Sequence, residues 1–171
     1  MNKNMNIRAA RITDIEEILF LEDQVFEIHL NARPDLVQKK PINYDYLKNI
    51  IEENNKRIFI AEENSEIIGF CIVCICEIKN HPIFHDMTNI EIEDLCVDEN
   101  HRKKGVGKRF FEEVIIFAKN TNAQFIELVV WEFNQDAKRF YENMGMKIRE
   151  NRMEYEIKVS KMRESKDDRK S

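Results

Sequence analysis

The sequence has little of the material that makes long linkers, membrane spans or secretion signals. Its 171 residues include only four Gly and three Pro, which leaves little for flexible connections between domains. The longest uninterrupted apolar run, Phe70 to Cys76, is far shorter than the roughly 20 residues of a membrane-spanning helix. The first residues, Met1 to Arg11, contain no apolar stretch of the kind found in secretion signals. We therefore expect a cytoplasmic protein with no membrane segment.

The charge balance and the cysteines argue against two further classes of protein. Acidic residues outnumber basic residues by 32 to 27, and a net charge of -5 disfavours non-specific coating of nucleic acid or of an anionic membrane. Cys71 and Cys74 have a Cys-x2-Cys spacing, which can hold a metal ion. Their neighbours are strand formers without a turn, so the two side chains would point to opposite faces of a strand. We expect buried thiols in a reducing compartment and no metal site.

The length of the chain suits one domain with a full hydrophobic core. We expect this domain to span residues 1–159 and the polar residues 160–171 to be disordered. Hydrophobic periodicity predicts the order β-α-α-β-β-β-α-β-α-β, with a strand over 124–130 and a last strand or hairpin over 146–159. The middle strands follow one another as hairpins, whereas later strands are separated by helices. This order predicts an α/β (α+β) fold with a mixed, mostly antiparallel central sheet and flanking helices.

One predicted strand, over 88–97, changes the face on which its apolar side chains lie. These side chains occupy even positions as far as Ile92 and odd positions from Leu95 onward. A regular strand cannot do this, because its side chains alternate strictly between the two faces. One extra residue near Glu93 and Asp94 would restore the alternation, which is typical of a β-bulge. A strand that is buried on both faces is the alternative interpretation.

A cluster of positive charge follows this strand, although the chain as a whole is acidic. Five of the eight residues at 102–109 are Lys or Arg, and two more, Gly105 and Gly107, are glycines. A strand, a glycine turn and a helix form the arrangement in which helix amides bind phosphate. Each cation at a helix N-terminus costs roughly 0.3–1 kcal/mol unless an anion is bound there. A solvated basic loop and a nucleic-acid patch are the alternatives, but the basic residues do not continue along the following helix as a nucleic-acid surface would.

Together these features resemble the GNAT superfamily, the acetyl-CoA-dependent N-acetyltransferases. The family pattern Arg/Gln-x-x-Gly-x-Gly/Ala is similar to Arg102–Gly107, which follows a strand ending in Leu-Cys-Val. A second family pattern, Asn-x-x-Ala-x-x-Phe-Tyr-x-x-x-Gly-Phe, is similar to Asn134–Met146, where Met146 replaces the usual Phe. The resemblance covers residues 6–158. It implies a single GNAT-like domain whose fourth strand is bulged and splays away from the fifth.

The resemblance also implies that acetyl-CoA is the cosubstrate and lies in the gap between the splayed strands. Its pantetheine arm would pair with backbone groups of the bulged strand and with an asparagine, and its pyrophosphate would bind amides of the glycine turn. The implied binding residues are Leu95, Cys96, Val97, Arg102, Lys103, Lys104, Gly105, Val106, Gly107, Lys108, Asn134 and Lys138.

The implied reaction is direct transfer of an acetyl group to a primary amine, with no covalent enzyme intermediate and no metal. An alkylammonium, with a pKa near ~10.4, must lose a proton before it can attack. By resemblance the base lies on the bulged strand; Glu93 is favoured, and Glu91 or water alone are alternatives. Tyr141 matches the general acid of the family, which protonates the departing thiolate.

The sequence says less about the acceptor. The first two helices and their loop would form one wall, where we interpret His29 as a structural residue and Arg33 with Asp35 as an ion pair. Acidic residues near this wall, including Glu22 and Asp35, would suit a cationic amine. We expect a small-molecule amine acceptor, no nucleic-acid or membrane partner, and leave a homodimer open. Acetylation of a protein amine and a non-catalytic acyl-CoA-binding regulatory module remain the alternatives.

Overall fold

A computed structural model describes residues 5–38 and 42–157. The predicted disordered end, 160–171, lies outside the described residues, as do the last two residues of the predicted domain. The strands are β1 (Met5–Ala9), β2 (Lys56–Glu63), β3 (Glu66–Ile78), β4 (Met87–Val97) and β5 (Phe125–Glu127). The helices are α1 (Ile15–Ala32), α2 (Tyr44–Glu52), α3 (Val106–Asn120) and α4 (Gln135–Asn143), with short 3-10 turns at Ile12–Asp14 and Glu99–His101. The predicted order of elements is confirmed as far as α4.

The five strands form one mixed sheet in the order β1-β2-β3-β4-β5. The first three pairings are antiparallel, and β4 pairs with β5 in parallel. Two residues with positive φ, Asn64 at 52° and Ser65 at 67°, join β2 to β3, as expected of the tight turn that matches the twist of a hairpin. The predicted mixed, mostly antiparallel sheet with flanking helices is therefore confirmed.

Two apolar cores lie on opposite faces of this sheet. One core packs α3 against the sheet and includes the fully buried Phe110 and Val114. The other packs α1 and α2 against the opposite face and includes Ile18 and Phe70. Full burial of side chains of this size contributes roughly 1.5–3 kcal/mol each, so the two faces fix the positions of α1 and α3 on either side of β4. Cys71 belongs to the α3 core.

The predicted last strand or hairpin is wrong for the part that the structure describes. Residues 146–157 form no regular secondary structure, and the alternating apolar side chains of Met153 and Tyr155 are 92% and 90% exposed. An ion pair of 2.8 Å between Arg33 Nη1 and Glu154 Oε1 ties the segment to the end of α1. An extended segment cannot satisfy its own backbone groups, so alternation gives a strand only where a neighbouring strand edge is available. The short β5 does not provide one here.

Candidate active site

The predicted β-bulge is present in β4. Ile72 of β3 lies opposite Asp94, and the next residue, Val73, lies opposite Ile92, so Glu93 is the extra residue. The slip moves the apolar side chains of β4 from even to odd positions on the α3 face. As a consequence, Glu93 and Asp94 are consecutive yet both lie on the face that α1 and α2 cover.

The parallel pairing between β4 and β5 stops just before this bulge. The last paired residues are Glu91 of β4 and Glu127 of β5. The strand predicted over 124–130 therefore ends early, because the chain leaves the sheet after Glu127. Beyond Glu91, residues 92–97 of β4 pair with β3 on one side only among the described strands. The two strands thus open into a gap, as the resemblance implied.

The hydrogen bonds of the β3–β4 ladder decide which backbone groups of β4 line this gap. Asp98 N–H donates to the carbonyl of Ile68 across 3.0 Å, so alternate residues before Asp98 also point toward β3. Cys96 is one of these residues. Leu95 and Val97 point the other way, into the gap. The Val97 carbonyl also accepts a hydrogen bond of 3.1 Å from Arg102 Nε.

The glycine turn leads directly into α3 below the gap. Gly105 is the N-cap residue of α3, with φ at 89°, and no side chain caps the first N–H groups of the helix. A positive φ of this size favours glycine, because other residues are strained there. Lys103 also has a positive φ, at 61°. The turn therefore presents uncapped amides at the positive end of a 15-residue helix, which is an arrangement that binds anions.

The cationic side chains of this turn extend into solvent around the amides. Lys103 and Lys104 are exposed, and the side chain of Lys108 is 63% exposed and 3.9 Å from Glu112. A Cβ at Gly107 would lie 3.2 Å from the Phe140 ring, so α4 packs closely against the first turn of α3. The positive charge of these side chains therefore surrounds the start of α3, and buried ion pairs of the described residues do not neutralise it.

The residues predicted on α4 face the same region. Asn134 is the N-cap of α4, and its Oδ1 accepts a hydrogen bond of 3.1 Å from Ala137 N–H. This leaves the side-chain N–H groups of Asn134 as donors. Lys138 Nζ lies 3.5 Å from Glu132, whose side chain is largely exposed.

Tyr141 lies between α4, α3 and the sheet. Its ring makes edge contacts with Phe140 and Phe111, at centroid distances of 4.9 and 6.5 Å. Burial raises the pKa of Tyr141 well above its usual value, and the nearby Cys71 and Asp94 raise it further. No described residue hydrogen-bonds its hydroxyl. Tyr141 is therefore a neutral phenol at physiological pH.

The two carboxylates predicted as bases have different surroundings. Glu93 forms an ion pair of 2.8 Å with Lys56 Nζ, and both side chains are less than a third exposed. Burial disfavours the ammonium of Lys56, but the hydrogen bond and charge of Glu93 outweigh burial and raise the pKa of Lys56. Glu91 Oε2 accepts a weak hydrogen bond of 3.6 Å from Cys76 Sγ. The Glu93 carboxylate is therefore already engaged by a cation, whereas, within the part of the chain that the structure describes, Glu91 has only a thiol as its hydrogen-bond donor.

A second pair of carboxyl groups, which sequence reasoning did not join, meets at the bulge. Glu22 on α1 is only 8% exposed, and its carboxyl group lies within hydrogen-bonding reach of Asp94 on β4. Glu22 is visible in the sequence only as one of several acidic residues of α1. Asp94 follows the favoured base directly, but only the packing of α1 on β4 shows that the two side chains meet.

An aromatic cluster completes the wall beside α1. His29 packs against Trp131 and Phe133, with ring centroids 6.3 and 5.8 Å apart, and Trp131 stacks on Phe133. The guanidinium of Arg33 lies 5.9 Å from the Trp131 ring and pairs with Asp35 at 2.7 Å, so the predicted ion pair is present. Sequence reasoning missed Trp131 and Phe133, although they come directly before the second motif. These rings bring the end of α1 to the segment that follows β5.

A bulged strand, a gap beside it, an uncapped helix start and a half-buried tyrosine define a class of acyltransferases. The chain belongs to the GNAT family of acetyltransferases: the model of the Acetyltransferase (GNAT) family matches residues 22–146. It is therefore an acyltransferase enzyme with the mixed sheet of that family. Among the described residues, no helix is long and apolar enough to cross a membrane.

Three similar proteins support this assignment. The chain is 31% identical to the uncharacterized N-acetyltransferase YhfO of Bacillus subtilis over 144 residues, covering 82% of this chain and 89% of YhfO. It is 25% identical to the uncharacterized N-acetyltransferase MJ1207 of Methanocaldococcus jannaschii over 148 residues, covering 86% of this chain but only 63% of MJ1207. The crystal structure of a mutant BH1408 protein from Bacillus halodurans is 29% identical, with a TM-score of 0.86, and the match covers 89% of this chain and 99% of that one.

Proposed function

We propose that this enzyme transfers the acetyl group of acetyl-CoA directly to a primary amine of a small molecule. The observation that carries the proposal is the gap between β4 and β5, which opens next to the uncapped N-terminus of α3. A thioester with a long polar arm and a pyrophosphate requires these two features side by side. The family assignment supports acetyl transfer, and the residues below support the donor.

The residues of the gap fit the donor molecule. Leu95 and Val97 offer backbone groups to the pantetheine amides, and Asn134 offers its side-chain N–H groups. The backbone of Cys96 points toward β3 and its Sγ lies 3.4 Å from the carbonyl of Leu21, so Cys96 would contribute only by holding the strand in place. The pyrophosphate would bind the turn, with Lys138 nearby; the turn residues are Arg102, Lys103, Lys104, Gly105, Val106, Gly107 and Lys108.

The same arrangement suits the chemistry of acyl transfer. Tyr141 is protonated at neutral pH and stays the predicted donor of a proton to the departing thiolate. The Leu95 N–H, which points into the gap, can donate to the thioester oxygen as negative charge develops there. Glu93 stays the predicted base, acting directly or through water, with Glu91 as the alternative on the same strand.

A small cationic amine suits the acceptor wall. The Trp131 and Phe133 rings are more than a third exposed, which leaves apolar and π surface for an aliphatic amine. Glu22 on α1 and Glu93 with Asp94 on β4 supply carboxyl groups nearby, and His29 of the wall is close enough to Asp94 to interact with it electrostatically. The surface therefore combines apolar contact with attraction for an ammonium group.

A binding experiment tests the donor assignment. Replacing Lys103 and Lys104 together by Glu reverses two charges at the start of α3 and should weaken acetyl-CoA binding by about 100-fold, at roughly 1.5 kcal/mol for each lost charge-assisted contact. Lys119→Glu is the matched control, because Lys119 is exposed in the last turn of the same helix. Equal affinity of the double variant and the wild type, measured by calorimetry, would show that the turn does not hold the donor.

A further inference from the structure

Glu22 and Asp94 form a carboxyl pair at the bulge of β4, opposite α1. The Sγ of Cys96 contacts the carbonyl of Leu21, so the pair lies where α1 and β4 are already in contact. Glu22 is 8% exposed, and no described residue donates a hydrogen bond to its Oε2, which is shielded from solvent. A buried carboxylate oxygen without a donor is rare in native proteins, because losing water without a replacement is costly.

The pair cannot be fully ionised in this setting. Two carboxyl groups in hydrogen-bonding reach must share a proton, since carboxylates have no donor of their own. Burial, and then the Asp94 carboxyl, raise the pKa of Glu22 to about 9, and Asp23 contributes as well. Burial also raises the pKa of Asp94. At neutral pH the pair therefore carries one proton and one negative charge.

The titratable groups around the pair supply little compensating positive charge. They are Asp23 and His29 of α1, Tyr46 of α2, Cys71 of β3, Glu93 and Cys96 of β4, and Tyr141 of α4. Lys56 is the nearby cation, but it is already paired with Glu93 at 2.8 Å. The pair thus has negative charge and, among residues 5–38 and 42–157, an acceptor oxygen without a donor and no Lys or Arg paired with it.

The position of the pair matches the place where an amine must attack. The backbone N–H of Leu95, which points into the gap, also lies close enough to stabilise the ionised form of Asp94. The Asp94 carboxyl is therefore next to the amide that would face the thioester oxygen, on the side of β4 that α1 covers.

We propose that the Glu22–Asp94 pair binds the ammonium group of the acceptor and accepts its proton. The proposal rests on the acetyltransferase function above and names the recognised class: primary alkylamines that enter as cations. It makes Glu22 and Asp94 catalytic residues. Glu93, held by Lys56, becomes a residue that keeps the bulge and its charge in place.

The protons balance through the reaction. When the ammonium binds, its positive charge displaces the shared proton of the pair, and that proton leaves to solvent. The ammonium then gives one N–H proton to the pair and becomes a neutral amine. Its lone pair attacks the thioester carbon, the C–S bond breaks, and the departing sulfur keeps its electron pair and takes the proton of Tyr141. The Tyr141 phenolate then removes the second proton from the nitrogen, which gives the amide.

The basicity of the pair suits this transfer. An ordinary carboxylic acid, with a pKa of about 4.3, is about six units more acidic than an alkylammonium. A carboxyl pair that holds its last proton up to about pH 9 when no amine is bound is a stronger base than an ordinary carboxylate, so its gap in pKa to the ammonium is correspondingly smaller.

The test measures proton release on amine binding, with n-butylamine as the probe and CoA-saturated protein so that no turnover occurs. Calorimetry at pH 7 in two buffers of different ionisation enthalpy should show about one proton released per amine bound by the wild type. Glu22→Gln and Asp94→Asn should abolish the release and weaken amine binding at least ten-fold, with CoA affinity unchanged. Glu17→Gln, at an exposed position of α1, is the control.

The outcomes separate the two proposals. Amine binding without proton release in the wild type, or release that persists in Glu22→Gln, would overturn the role of the pair while leaving CoA binding and acetyl transfer intact. Failure of the wild type to bind CoA would instead contradict the proposed function. Steady-state kinetics give a second readout, because kcat/KM of Glu22→Gln should fall by about 10²–10⁴-fold with a changed pH profile. An unchanged profile would also overturn the proposal.

Discussion

Replacing Glu22 by Gln should flatten the dependence of folding stability on pH. In the native wild type the pair keeps a proton up to about pH 9, whereas the same carboxyl groups in the unfolded chain lose it near their usual values of about 4. A raised native pKa gives stability that is present at low pH and lost as the pH rises through this window. For one proton, the free energy of unfolding changes with pH by at most about 1.4 kcal/mol per pH unit. Between pH 6 and pH 8 the free energy of unfolding should therefore fall by up to about 2.7 kcal/mol more in the wild type than in the variant.

Urea unfolding, followed by tryptophan fluorescence at several pH values, measures this difference directly. The four His residues titrate in both proteins, so their contribution cancels when the two slopes are subtracted. Glu17→Gln should follow the wild-type slope, because Glu17 is exposed on the same helix. Parallel slopes for the wild type and Glu22→Gln would refute the shared proton and the physical basis of the amine site.

Three other substitutions have defined outcomes. Tyr141→Phe should leave acetyl-CoA affinity within two-fold and lower kcat by about 10²–10⁴-fold, since only the proton donor is removed; an unchanged kcat would exclude Tyr141 as the acid. Gly69→Ala should destabilise the fold by about 1–3 kcal/mol in urea unfolding, because its Cβ would lie 2.6 Å from the Cys96 carbonyl oxygen and 3.1 Å from the Phe110 ring. Gly105→Ala should cost about 1–2 kcal/mol through its φ of 89° alone, since no atom lies within 4 Å of the added Cβ. Equal stability of either glycine variant and the wild type would contradict these geometries.

Local signals in the sequence predicted the bulge and the glycine turn. The phase slip at Glu93 and Asp94 is a property of one strand, and the structure confirms it as a β-bulge. The glycines of the turn are local signals too, and Gly105 has a positive φ, which glycine adopts without strain. Such features depend on neighbours in the chain, so periodicity and residue type reveal them.

Contacts between distant parts of the chain could not be predicted in the same way. Glu22 meets Asp94, and Lys56 pairs with Glu93, only because α1 and β2 pack beside β4. The alternation over 146–157 wrongly predicted a strand, since pairing depends on a neighbouring edge that the segment itself cannot supply.

Thiol release from acetyl-CoA in the presence of a panel of primary amines tests the central claim most directly. We expect thiol release that depends on the amine, with the acetylated small molecule identified by mass spectrometry as the product. Tight acetyl-CoA binding without amine-dependent thiol release would contradict it and favour a non-catalytic regulatory module. Acetylation of protein or peptide amines alone would contradict the small-molecule acceptor.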